Sequence, residues 1–239
     1  MSARDEILAR IQRSFPPTAR NSAEDHASIP RDYVQSGSLD PESRLDLFED
    51  RLRDYGTEVY RCVPAQLPET IALAMRTAGI DQLLVAEDVP PSALPAHGSG
   101  GRSFGSDLKE VSEKGAFAPD ANSAPLSFVQ DENLSYEDLD RSQGVLTGCA
   151  VAIALTGTII IRHLHGISRA LTLIPDYHLC IVRASHVVET VPEAIRSIED
   201  PARAPITTIS GPSATSDIEM TRIQGVHGPR RLAVILVLA

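Results

Sequence analysis

"DPESRLDLFEDRLRDYGTEVYRCVPAQLPETIALAMRTAGIDQLLVAE", Asp40 to Glu87, decides the fold class. Asp40 suits a helix cap and Pro41 the first helical position. Leu45, Phe48 and Leu52 recur on one helical face, and Gly56 ends the helix. "TEVYRC" alternates as a strand does. "LPETIALAMRTAG" reads as another helix, closed by Gly79, and "DQLLVAE" as a short buried strand. Helix, strand, helix, strand is the rhythm of a parallel sheet with covering helices, so the expected class is α/β.

Toward the N-terminus, "SARDEILARIQRSF" (2–15) reads as a helix capped by Ser2, with Ile7, Leu8 and Ile11 as its apolar stripe. Residues 16–39 carry Pro, Ser, Asn and charges without periodicity and read as a linker or mobile arm. The expected division is an N-terminal helix and arm over 1–39 and one α/β domain over 40–239. Residues 88–124 are rich in Pro, Gly and Ser. "LSFVQ" reads as a strand, and "SYEDLDRS" as a short helix with Ser135 and Asp138 in a capping box. "GVLTGCAVAIALTGTIIIR", "LTLIP", "HLCIVR" and "HVVETV" are the most apolar segments, suited to strands buried on both faces. "PEAIRSIED" reads as a helix, and "ITTIS" and "RLAVILVL" as the closing strands.

Bulk properties narrow the class. The 239 residues suit one large domain or two small ones. Aromatics are 4% with no Trp, so the core must rest on Ile, Leu, Val and Ala. The net charge is −10 and no basic block stands out, so no nucleic-acid partner is expected. The charged N-terminus lacks a signal-peptide apolar core. The longest mostly apolar run, Cys149 to Ile161, is shorter than the ~20 residues of a membrane span. A cytoplasmic protein with no membrane span is the expectation. Cys62, Cys149 and Cys180 show no C-x-x-C spacing, and a cluster usually takes four thiolates. They read as small buried apolar residues; no cofactor and no metal is expected in this chain.

Chemistry gathers at "TTISGPSATSDIEMTRIQGVHGPRRLAVILVLA", Thr207 to Ala239. Ligands of open α/β sheets bind beyond the carboxyl ends of strands, and this stretch follows "ITTIS". Gly211 and Pro212 make a turn. Ser213, Thr215, Ser216 and Asp217 then stand at the start of an expected helix running to about Met220, an anion site or a plain N-cap. In "GVHGPR", His227 lies between turn residues beside Gly228 and could donate or accept a proton. Thr156, Gly157 and Thr158 open a strand, so their hydroxyls fall near one end of a sheet. Arg169 could clamp a carboxylate or phosphate, or pair with a structural Asp. "HLH" at 163–165 offers two metal ligands without a third. Ser213, Asp217 and His227 have triad residue types, but "GPSAT" is no nucleophile elbow. Glu219 adds an acidic group beside Asp217.

"GCAVAIALTGTIII", "SRALTLIPDYHLCIV", "ISGPSATSDIE" and "GVHGPRRLAVIL" together resemble the LutC family of lactate utilization proteins, from about Leu45 to Leu238. The resemblance implies a Rossmann-like, mostly parallel sheet flanked by helices, similar to sugar-phosphate isomerases and CoA transferases. It also implies an accessory subunit, acting with two iron–sulfur proteins in oxidising L-lactate to pyruvate, with the clusters in those partners. In this reading a small anion sits at the SGPSATSD and GVHGP loops. Asp217, Glu219 and His227 are the catalytic groups, and Thr156, Gly157, Thr158, Arg169, Gly211, Pro212, Ser213, Thr215, Ser216 and Gly228 line the ligand. The family usually carries an acid before its Thr/Ser-Gly-Thr; this chain has Leu155. An independent enzyme on a phosphorylated or CoA-thioester substrate, or a non-catalytic binding or regulatory protein, are the other readings.

Overall fold

The computed structural model describes residues 3–14, 28–95, 125–130, 134–163, 168–198, 204–215, 223–224 and 228–238. The chain divides into two units, Met1–Tyr33 and Val34–Ala239. In the first, α1 (Ala3–Ser14) has Asp5 and Glu6 in its first turn and Arg13 in its last, matching the helix dipole. None of its residues is buried, and Ile7, Leu8 and Ile11 are exposed. The cap expected at Ser2 lies outside the described residues.

The second unit is built on a six-stranded sheet. Its order is β1 (Glu58–Cys62), β12 (Arg231–Val237), β7 (Tyr177–Arg183), β4 (Gly144–Thr147), β2 (Gln82–Val85) and β3 (Ser127–Gln130). All five pairings are parallel, as the helix–strand rhythm predicts. The flanking helices begin as the sequence suggests. Asp40 accepts from the N–H groups of Glu42 and Ser43 to start α2 (Pro41–Asp54). The next helix, α3 (Leu67–Ala78), ends on Gly79 in the left-handed conformation. Ser135 caps α4 (Tyr136–Arg141), donating to Asp138 Oδ2 at 2.7 Å and accepting from its N–H.

Both faces of this sheet are apolar and both are covered. On one, Ile71, Ala74 and Met75 of α3 meet Leu83, Val85, Leu179, Ile181, Ala233 and Ile235. On the other, Phe48 and Leu52 of α2 meet Cys180, Val182, Val234 and Leu236, together with Ala152, Ile159 and Ile161. These last residues belong to a second sheet, ordered β8 (Val187–Val188), β5 (Val151–Ile153), β6 (Thr158–Arg162) and β9 (Ile206–Ile209). Its outer strand face packs Val151, Ile153 and Ile160 on Ala194 of α5 (Val191–Ile198). The layers therefore run α3, parallel sheet, α2 with the second sheet, α5.

The reading of "GVLTGCAVAIALTGTIIIR" as strand buried on both faces holds, but its strands are divided between the second sheet and the parallel one. Only Gly144–Thr147 joins that sheet; β5 and β6 form an antiparallel hairpin around the turn 154–157. Hydrophobicity cannot tell the two cases apart, because the hairpin is buried from both sides as well. "LTLIP" is also not a strand: Ser168 caps a 3-10 turn over Arg169–Thr172. The arm is tied down at its carboxyl end. Gly37 N–H donates to Glu193 Oε1 at 3.0 Å, Leu39 N–H to Glu189 Oε2 at 2.7 Å, and Arg196 donates to the Gln35 carbonyl.

Phe48 is fully buried between α2 and both sheets. Phe48→Ala should lower unfolding free energy by about 3–5 kcal/mol, read as a shifted urea midpoint with unchanged slope. A loss below about 1 kcal/mol would show that α2 does not seal this layer.

Candidate functional site

The two Gly-Pro loops meet. Beyond β9 the chain turns at Gly211, whose φ of +79° favours glycine. A Cβ there would stand 2.6 Å from the Tyr55 Cβ, so a side chain is excluded on two grounds. Two residues on, the Ser213 N–H donates to the Pro229 carbonyl at 2.8 Å, just before β12. The loop after the second sheet is thereby fastened to the loop entering the first.

Between them lies a cavity of about 310 Å³, at the small end of the range for ligand sites. Gly211, Pro212, Ser213, Gly228 and Arg169, five residues singled out from sequence, line it. Arg169 reaches it from the 3-10 turn before β7. Its Nη1 donates to Thr207 Oγ1 at 3.0 Å, and His163 Nε2 lies 2.6 Å from the same oxygen. Thr156 and Thr158 do not line the cavity but approach it through hydroxyls. Thr156 Oγ1 is 2.7 Å from Thr158 Oγ1, which is 2.9 Å from Oγ of Ser210, a lining residue. Gly157 makes the hairpin turn at φ +58°, where a Cβ would stand 2.8 Å from the Arg51 Cβ. Leu155, at the position where the LutC resemblance expects an acid, is 46% exposed on that turn.

Two expectations change. Ala214–Thr215 is not a helix start but a strand, β10, paired antiparallel with β11 (Ile223–Gln224). A Ser-x-Thr-Ser-Asp run satisfies an N-cap or a hairpin arm equally well from its side chains, so the pairing partner decides. No helix dipole at Ser213–Thr215 is then available to hold an anion. Asp217, Glu219, Ser216 and His227 lie outside the described residues, as do residues 216–222 of the expected helix. The site also sits at the other end of the main sheet. It follows the carboxyl end of β9, but β9 belongs to the second sheet. Against the parallel sheet it faces the amino ends of β7 and β12, through His178 and Leu232.

His178 is the residue that sequence reading missed. It is 1% exposed, lines the cavity, and places Nε2 2.8 Å from Thr147 Oγ1 on β4. Burial pushes its pKa down to about 4, which keeps the imidazole neutral near pH 7. One signal was present: a His inside "YHLCIVR", an otherwise apolar central strand. Thr172, Thr207 and Ser210 add hydroxyls to the lining. Arg169 carries the single full charge among the described lining residues, so the cavity is suited to one negative charge surrounded by hydroxyl donors.

The carboxyl ends of β2, β4 and β7 carry a different cluster. Asp88 accepts from the Gly148 N–H with both oxygens at 3.1 Å, and burial raises its pKa. The Cys180 thiol donates to the Gly148 carbonyl at 3.4 Å, and His186 Nδ1 lies 3.1 Å from the Cys149 carbonyl. Hydrogen bonding from Cys180, with His186 beside it, holds the Cys149 thiol below its usual range despite burial. Among the described residues no group of three or more His, Cys, Asp or Glu is placed to hold a metal, and no helix is long and apolar enough to cross a membrane.

Comparison with known proteins places the chain. A family profile for the LUD domain matches residues 45–237. Lactate utilization protein C of Deinococcus radiodurans is 41% identical over 204 residues, 82% of each chain. Lactate utilization protein C of an Exiguobacterium species is 26% identical over 98% of this chain and 95% of that one. The crystal structure of a DUF162 family protein from Deinococcus radiodurans superposes with a TM-score of 0.61 at 36% identity, covering 84% of this chain and 99% of that one.

The buried imidazole gives a pH signature. The unfolded chain protonates His178 near pH 6.5, the folded chain only near 4. Its contribution to stability is therefore intact above pH 6.5 and is lost as pH falls toward 4. Between pH 7.5 and 5 this amounts to about 2 kcal/mol, and His178→Asn should flatten that part of the urea-midpoint profile. Parallel profiles for variant and wild type would place His178 in contact with solvent.

Proposed function

The chain belongs to the LUD domain family, and from that membership we propose that it serves lactate utilization as a component that binds a small anion in the Arg169 cavity. The observation that carries this reading is the convergence of both Gly-Pro loops and Arg169 on one cavity. Arg169 would supply the positive charge, and the Ser210 and Ser213 hydroxyls the directional hydrogen bonds. Asp217, Glu219 and His227 are the acid and base groups of this reading. Thr156 and Thr158 would orient Ser210 from behind, which gives their hydroxyl line a purpose without direct ligand contact.

Oxidising lactate to pyruvate releases two electrons and needs an acceptor. The proposal assigns that acceptor to two iron–sulfur partner proteins, with this chain binding substrate or product beside them. Its three cysteines are fewer than the four thiolates a cluster usually takes, and all three are buried.

Growth on L-lactate as sole carbon source tests the reading. A clean deletion should stop growth, the wild-type gene should restore it, and Arg169→Ala should restore it poorly with protein present at normal levels. Arg169 is exposed, so the substitution should leave the fold intact. A deletion that grows normally would remove the lactate role, and full rescue by Arg169→Ala would remove the cavity from it.

A further inference from the structure

We propose that His178 is the specificity-determining residue of the cavity, selecting a small monocarboxylate that bears a hydroxyl or oxo oxygen over the same acid without one. This rests on the reading of the cavity as an anion site and adds what the anion must carry.

Arg169, on the exposed side, can account for a carboxylate but not for anything else about the ligand. His178 stands at the buried side on a backbone held between two strands, opposite Val145 of β4 and Leu232 of β12. With Nε2 taken by Thr147, Nδ1 is the ring's remaining polar atom. A neutral imidazole has one N–H and one lone pair, and a threonine hydroxyl can donate or accept. When Thr147 donates to Nε2, Nδ1 carries the proton and can donate to an oxo oxygen. When Nε2 donates to Thr147, Nδ1 accepts from a hydroxyl. The pair can therefore serve a 2-hydroxy acid and the matching 2-oxo acid without any change of charge.

A ligand lacking that oxygen would offer Nδ1 no hydrogen-bond partner. One unsatisfied buried group corresponds to roughly tenfold to a hundredfold in affinity. A preference carried by the Ser210 and Ser213 hydroxyls instead would survive the loss of His178.

Calorimetric titration of the full chain with L-lactate, pyruvate and propionate tests the proposal. Wild type should bind lactate and pyruvate at least tenfold more tightly than propionate. His178→Leu should bind all three alike, and Arg169→Ala should weaken all three. Equal binding of the three acids by wild type, or a preference kept by His178→Leu, overturns the proposal while leaving the anion site standing. Failure of wild type to bind any of them overturns both. If His178→Leu does not fold, Thr147→Val takes its place, since it releases Nε2 from behind the ring. It should lower the preference severalfold, and an unchanged preference overturns the proposal.

Discussion

A parallel sheet with apolar side chains on both faces must be covered on both. Its central strands β7 and β12 are buried along almost their whole length. One helix, α3, covers one face. On the other, α2 shares the covering with the hairpin β5–β6 and its second sheet. Everything functional follows from that choice. Two sheets that pack together leave a seam, and the chain must cross it wherever it passes from one sheet to the other. It crosses four times: after β4 at Gly148, between β6 and β7, between β7 and β8, and between β9 and β12. The crossings after β4 and after β7 bring Cys149 and His186 to Asp88 and Cys180; those before β7 and before β12 bring Arg169 and the two Gly-Pro loops to the cavity.

The polar groups around the cavity are arranged by depth. Arg169 and Ser210 lie exposed, Thr207 and Ser213 come next, and Thr172 and His178 are buried. A charged group at that depth would be costly unless paired, whereas a neutral imidazole with a threonine partner is not. Depth thus separates attraction of an anion from recognition of its other oxygen. The Gly211 turn makes the arrangement possible, because only a residue without a Cβ lets the loop pass against Tyr55.

Local signals were legible in the sequence and long-range ones were not. Asp40, Pro41, Gly79 and Ser135 act through neighbours within a few residues, and each stands in its expected role. The departure of the chain at Gly148 depends on what packs above the sheet, and the apolar run on either side of it reads the same in both sheets. Ala214–Thr215 forms a strand only because Ile223–Gln224 lies alongside. For the site, glycines and prolines marked the loops correctly. His178 escaped because its role comes from two neighbouring strands, β4 and β12, that are far away in sequence. Ile7, Leu8 and Ile11 stand on the helix that their spacing predicts, and none of α1 is buried.

A crystal structure of the protein soaked in L-lactate tests the account most directly, because it chooses between the two ends of the seam. The account predicts the ligand in the cavity, its carboxylate on Arg169 and its hydroxyl on His178 Nδ1. Ligand bound instead at the carboxyl ends of β2, β4 and β7, beside Asp88 and Cys149, or a cavity still empty at saturating lactate, would contradict it.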